Sequence, residues 1–305
     1  MKFKAVKHFF DFVELRTKVA TVLPFLVALA YVFYTIGTIN LYSTVIYIIS
    51  ACLLDMSVTA INNHFNSRNE NQVPHYTTFI SLSIISIMMF TSAGLGLYLV
   101  YLHGINILLA GVFCFVMGIA YSFGPAPICK TPYGEVASGF TVGVVIMFIV
   151  ITINNPAFNP LGLAFNLESM ELMLNINIVA LLSFGILALP SFLCVANIML
   201  ANNICDEDGD RTFRFTLVHS LGKENALKLF ANMYYASYIS IIIGILLGII
   251  PIITLFVLAT FFPVQKNISL FLKKQTKRET FVLSVKNFVM IMLSYGFFMG
   301  LSGFF

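Results

Sequence analysis

Nine stretches of about 20 mostly apolar residues follow one another along the chain, near 18–37, 41–61, 77–101, 104–122, 135–153, 177–201, 226–247, 249–265 and 284–304. Each is long enough to cross the hydrocarbon core of a bilayer as a helix. Only Gly248 to Pro251 separate the seventh stretch from the eighth, and that Gly-Ile-Ile-Pro link suits a tight helical hairpin. The pattern predicts an all-α polytopic membrane bundle. Composition agrees: 59% of the 305 residues are hydrophobic, 10% are charged and the mean hydropathy is +0.93. A soluble domain carries about a quarter charged residues. The length therefore reads as one membrane domain, 1–305, rather than two soluble ones.

The charges fall in an order of their own. All seventeen Lys and Arg lie before the first stretch or at the loops after stretches two, four, six and eight. The opposite loops carry none, although 154–176 is long and holds Glu168 and Glu171. Positive charge marks the cytoplasmic side. This predicts a multi-pass protein of the cell membrane with its N-terminus inside, its C-terminus outside and its charged loops on the cytoplasmic face. The net charge of +4 is a topology signal and not a nucleic-acid one. Residues 1–15, mixed polar and aromatic, do not read as a cleavable signal peptide. Cys52, Cys114, Cys129, Cys194 and Cys205 show no metal-ligand spacing and read as small core residues.

Two polar segments close even-numbered stretches on the charged side. In 60–70, Asn62, Asn66 and Glu70 recur every four residues; in 200–210, Asn202, Asp206 and Asp210 do the same. On a helix this spacing stacks the side chains along one face. The two ladders lie 140 residues apart and each opens with a doubled Asn. They predict a pseudo-repeat, with halves of about 10–153 and 177–305, whose ladders face one another across a pocket. Stacked carboxylates ionise together only around a cation. Hard oxygen ligands suit Mg²⁺, whose shell substrate phosphates complete. The plainer alternative is a pair of helix ends reaching into water. Lys18, Arg68, Lys130 and Arg211 lie on the same side and are candidate phosphate partners, or topology signals only.

At these residues the chain resembles the UbiA superfamily of intramembrane prenyltransferases, and in particular the branch that prenylates 1,4-dihydroxy-2-naphthoate in menaquinone synthesis. Asn202-Asn203-Ile-Cys-Asp206-Glu-Asp208-Gly-Asp210-Arg211 resembles that branch's second Asp-rich motif. Glu14 to Lys18 with Leu23-Pro24-Phe25, then Tyr121-Ser-Phe-Gly-Pro125-Ala-Pro127 with Gly134-Glu135, resemble its first-helix start and fourth-helix loop. Thr216-Leu217 and Leu221-Gly222 fit the stretch that follows the second motif. The first motif departs: Asn63 and Asn66 stand where the family has aspartates, and Glu70 stands for its last acid. Asparagine offers a carbonyl oxygen but no charge. Ala126 occupies a place where the family often has Lys, with Lys130 close by in sequence.

The resemblance implies Mg²⁺-dependent transfer of a polyprenyl group from polyprenyl diphosphate to an aromatic acceptor. It implies metal ligands among Asp206, Asp210, Asn66, Asn62 and Glu70, with Asn202 assisting. Lys18, Arg68, Lys130 and Arg211 would contact the diphosphate. Tyr121 would shield an allylic cation through its ring, or be an interfacial belt residue. Other aromatic or lipid acceptors, a prenyl-lipid binder descended from an enzyme, and a transporter are the competing readings. Transporter sites usually lie near the bilayer midplane, whereas these ladders end helices at one face. His64, His75 and His219 take no assigned role.

Overall fold

The computed structural model describes residues 2–69, 75–166, 171–210 and 214–305. After an N-terminal helix α1 (Lys2–Phe12) come α2 (Val19–Ile36), α3 (Leu41–Asn69), α4 (Thr78–His103), α5 (Ile105–Ser122) and α6 (Gly134–Asn154). Then follow α7 (Ile178–Asp210), the short α8 (Leu217–Leu221), α9 (Lys223–Leu246), α10 (Ile252–Lys273) and α11 (Phe281–Leu301). Among the described residues, nine of these (all but α1 and α8) are long and apolar enough to span a bilayer. This is the predicted polytopic bundle. Helices satisfy their own backbone polar groups, which a bilayer core demands.

The outward faces confirm the solvent. Phe79, Phe90, Val179, Leu246, Ile252 and Phe262 are all more than two-thirds exposed. In water such a surface would aggregate; against lipid tails it is the ordinary boundary. The protein is a multi-pass membrane protein.

Two extensions beyond the apolar stretches matter for the site. Helix α3 runs to Asn69 and α7 runs to Asp210, so Asn62 and Asn66 on one and Asn202, Asp206 and Asp210 on the other sit on continuous helix. Their four-residue spacing is a real alignment on one face. Helix α7 packs against α6, α9 and α11, while α2 packs against α6 and α11.

The α6–α7 contact is made by small residues. Gly139 and Gly143 lie on a π-helical turn, and a Cβ at either would come within 3 Å of the Phe192 backbone. Close backbone approach of this kind is how small residues pack helices in lipid. It brings the start of α6 beside the ladder end of α7.

Two elements differ from the sequence reading. The long loop before α7 carries an antiparallel hairpin, β1 (Leu161–Asn166) and β2 (Glu171–Ile176). Its register pairs Leu161 with Ile176, Leu163 with Leu174 and Phe165 with Leu172. A period of two governs this segment locally, although helices govern the chain. Likewise the first residues form α1, whose end is anchored where Phe12 and Val13 are buried against Ala60, Ile61, Ile85 and Met88. The link after α9 turns at Gly248 with φ of +69°, and α10 begins as a 3-10 helix over Ile252–Thr260.

Candidate functional site

One cavity of about 1270 Å³ runs inside the bundle. Tyr47 and Asn62 both line it. At 1.5 Å per residue along α3, they are roughly 22 Å apart. The Tyr47 end is apolar, with Leu99, Val100, Ile107 and Ile149. The other end gathers Asn62, Asn63, Asn202, Asp206, Arg214 and Lys277. The two ladder-bearing helices therefore open onto a single amphiphilic chamber.

On α7, Asn202 Oδ1 and Asp206 Oδ2 each lie 2.5 Å from the Lys277 ammonium. Asn202 also donates to Asp206 Oδ2 at 3.4 Å. Lys277 comes from the loop between α10 and α11 and stands 5.5 Å over the Phe281 ring. At the next residue of α7, Glu207 pairs with Lys223 at 3.3 Å.

On α3 the arrangement is different. Asn63 Nδ2 donates to Phe12 O at 3.0 Å and to Glu14 Oε1 at 3.1 Å. It thereby clamps the turn where Glu14 adopts φ of +47°, an uncommon value for a residue with a side chain. Thr17 closes the same turn onto Glu14 O through its backbone N–H and its hydroxyl. An aspartate at 63 could not donate either bond. This explains the first-motif Asn physically: its amide hydrogens hold the chain leading into α2.

Deeper on α3, a half-buried Asp55 pairs with the buried Lys18, an ion pair that the sequence reading missed. The Lys18 ammonium contacts Asp55 Oδ1 at 2.8 Å, Asp55 O at 3.2 Å and Thr59 Oγ1 at 2.6 Å. Thr21 donates to Asp55 Oδ2 at 2.5 Å. An ammonium has three N–H donors, and here all three are used. Lys18 lines the cavity end but is engaged by α3.

Tyr121 lines the cavity, and its buried hydroxyl has no partner among the described residues. Behind the second ladder, Asn203 donates to Glu135 Oε1 at 2.8 Å, while Glu135 Oε2 is buried and has no partner among the described residues. This bond ties the start of α6 to α7, as the Gly139–Gly143 contact allows. Lys130 does not line the cavity; its backbone carbonyl accepts from Phe215 N at 3.0 Å, joining the loops after α5 and α7. His219 caps α8 through Thr216, and all five cysteines are free thiols. Glu70 and Arg211 lie outside the described residues. For Asn66, Arg68 and Asp210 the helix backbone is described and the side chains are not.

The donor set can be tested against a divalent ion. No group of three His, Cys, Asp or Glu converges among the described residues, so an all-carboxylate cage is not what they form. Asn202 Oδ1 and Asp206 Oδ2 do converge on a cation, the Lys277 ammonium. Mixed amide and carboxylate oxygens with space for water and phosphate fit Mg²⁺, which is commonly held by one or two carboxylates. These residues fit the ion.

Comparison with solved structures places this architecture among UbiA-type membrane proteins. A UbiA homolog from Archaeoglobus fulgidus bound to GPP and Mg²⁺ superposes with a TM-score of 0.64 at 14% identity, over 96% of this chain and 99% of the other. A structure described for digeranylgeranylglyceryl phosphate synthase gives 0.64 at 15% identity, over 97% and 99%. The chain has the UbiA fold. In sequence, it is 28% identical over 149 residues to 1,4-dihydroxy-2-naphthoate octaprenyltransferase of Bacillus subtilis (strain 168). That match covers 48% of this chain and 41% of the relative, so it spans about two-fifths of the relative's length. No family model matches the chain.

Proposed function

We propose that the protein is a Mg²⁺-dependent intramembrane prenyltransferase that moves a polyprenyl group from its diphosphate to an aromatic acceptor, 1,4-dihydroxy-2-naphthoate, in (demethyl)menaquinone synthesis. The observation that carries this reading is the single chamber with ladder oxygens at one end and apolar walls along the rest. An isoprenoid diphosphate has the same division. The similarity to a 1,4-dihydroxy-2-naphthoate octaprenyltransferase supports the acceptor, and the relative solved with GPP and Mg²⁺ supports the donor and the ion.

In this reading Asp206, Asn202 and Asn62, with Asp210, Asn66 and Glu70, hold the ion. Bound Mg²⁺ would neutralise the diphosphate oxygens and make them a better leaving group. Arg214, Arg68 and Arg211 add positive charge at that end, and Lys130 stabilises the loops around it. Lys18 sets the local potential through Asp55 rather than by free donors. The apolar walls would keep water from the allylic cation, and the ring of Tyr121, which lines the cavity, would stabilise it through a face. Its unpaired hydroxyl offers a hydrogen bond to the acceptor. The two halves, about 10–153 and 177–305, act as a pseudo-repeat within one domain. The diphosphate end would face the cytoplasm, a placement that the distribution of Lys and Arg supports.

Purified protein supplied with Mg²⁺, a polyprenyl diphosphate and dihydroxynaphthoate should release diphosphate and yield a product with the mass of a prenylated naphthoquinone. Turnover on hydroxybenzoate or homogentisate alone would reassign the acceptor. Binding of the diphosphate without turnover on any acceptor would favour a prenyl-lipid binder, a reading motivated by Asn63 and Asn66.

A further inference from the structure

Lys277 sits where neither the ladder spacing nor the family resemblance directs attention. It belongs to the loop between α10 and α11, and that loop is built. Lys274 pairs with Glu279 at 2.5 Å, and the Thr276 N–H donates to Thr280 Oγ1 at 2.8 Å. Gln275 Nε2 donates to Phe271 O at 2.7 Å and Leu272 O at 2.9 Å, closing the end of α10. From this base the Lys277 ammonium reaches across to Asn202 and Asp206 on α7. Two of its three N–H donors are engaged there.

The charge inventory makes the contact consequential. Among the described residues, α3 offers neutral Asn62 and Asn63 to this end of the cavity, and its acid there, Asp55, is already paired with Lys18. The cavity still presents fixed positive charge, and Lys18 has no donor left for a ligand. Among the described residues Lys277 has one, and it is held by the same two oxygens that fit Mg²⁺.

We propose that Lys277 is a tethered cation that takes the place of one divalent ion at the diphosphate end of the cavity. It shares the Asn202 and Asp206 oxygens with any metal, and its remaining donor goes to a phosphate oxygen. The anion in this inference rests on the prenyl-diphosphate reading above; the competition for oxygens does not.

The test uses the full-length protein in detergent, with Mn²⁺ alone as the first probe and inorganic pyrophosphate as the second. Lys277 is nearly half exposed, so Lys277→Met and Lys277→Arg should both fold. Electron paramagnetic resonance of Mn²⁺ should show Lys277→Met binding the ion at least about tenfold more tightly than the parent, since removing a cation from two shared oxygens frees them. Asp206→Asn should lose that Mn²⁺ in either background. In EDTA, pyrophosphate should bind Lys277→Met at least about tenfold more weakly, and Lys277→Arg near the parent value. Unchanged Mn²⁺ affinity in Lys277→Met would overturn the shared site. Equal metal-free pyrophosphate binding in parent and Lys277→Met would overturn the substitution for a metal. If the parent neither binds Mg²⁺-pyrophosphate nor turns over a prenyl diphosphate, the enzymatic reading fails, and the Mn²⁺ comparison still decides the Lys277 contact.

Discussion

The ladder ends of α3 and α7 share a spacing and a cavity, yet they balance charge in opposite ways. On α7 the acid stands at the ladder itself: Asp206 faces a half-exposed lysine from a loop. On α3 the ladder residue that lines the cavity, Asn62, is neutral, as is its neighbour Asn63. An acid stands about two turns inward, at Asp55, and is paired with a lysine that is almost fully buried. The first arrangement is exchangeable and the second is structural. A lysine–aspartate pair at a helix end therefore does not have one meaning. What decides it is how many donors remain and whether solvent reaches the lysine, since the two aspartates are about equally exposed.

Breaking the pair around the buried lysine should have the largest effect. Asp55→Ala leaves the Lys18 ammonium uncompensated and is expected to cost about 3–5 kcal/mol of stability. Unfolding in detergent measures this, and Asp55→Leu with Lys18→Met should recover most of the loss. Asp206→Ala should leave the fold intact and lower prenyl transfer about 100-fold or more, by loss of an electrostatic group at the departing charge. Product formation at saturating Mg²⁺ checks it. If Asp206→Ala unfolds the protein instead, the two pairs are alike and the contrast is wrong.

Smaller changes sharpen the same contrast. Asn63→Asp should weaken the protein by about 1–3 kcal/mol, because two acceptors lose their donor. Hydrogen exchange at the Thr17 amide should rise with it. Stronger Mg²⁺ binding in this variant would show that position 63 serves the ion after all. Thr59→Val removes one acceptor from Lys18 and should cost about 0.5–1.5 kcal/mol, with turnover near the parent value.

Much of this was legible in the sequence. Hydropathy located the nine spans because lipid imposes a length on each, and the four-residue recurrence located both ladders because α3 and α7 continue as helix beyond their apolar stretches. Asp55 carried a signal that went unread: it is a lone acid inside the apolar stretch 41–61, where an ionisable group needs a partner. Alternation of Leu161, Leu163 and Phe165 likewise announced the hairpin. The work of Asn63 had no local signal, since its partners Phe12 and Glu14 lie some 50 residues away and are brought near only by the docking of α1. Lys277 was hidden among basic loop residues that look alike until a tertiary contact selects one.

The account depends on α3 and α7 gripping one ligand between them. A double-mutant cycle on Mg²⁺-pyrophosphate affinity, with Asn62→Ala, Asn202→Ala and the pair, tests this by calorimetry. Each single change should weaken binding, and the pair should depart from the sum of the two by more than about 0.5 kcal/mol. An Asn62→Ala protein that binds as tightly as the parent, or strict additivity of the two changes, would contradict it.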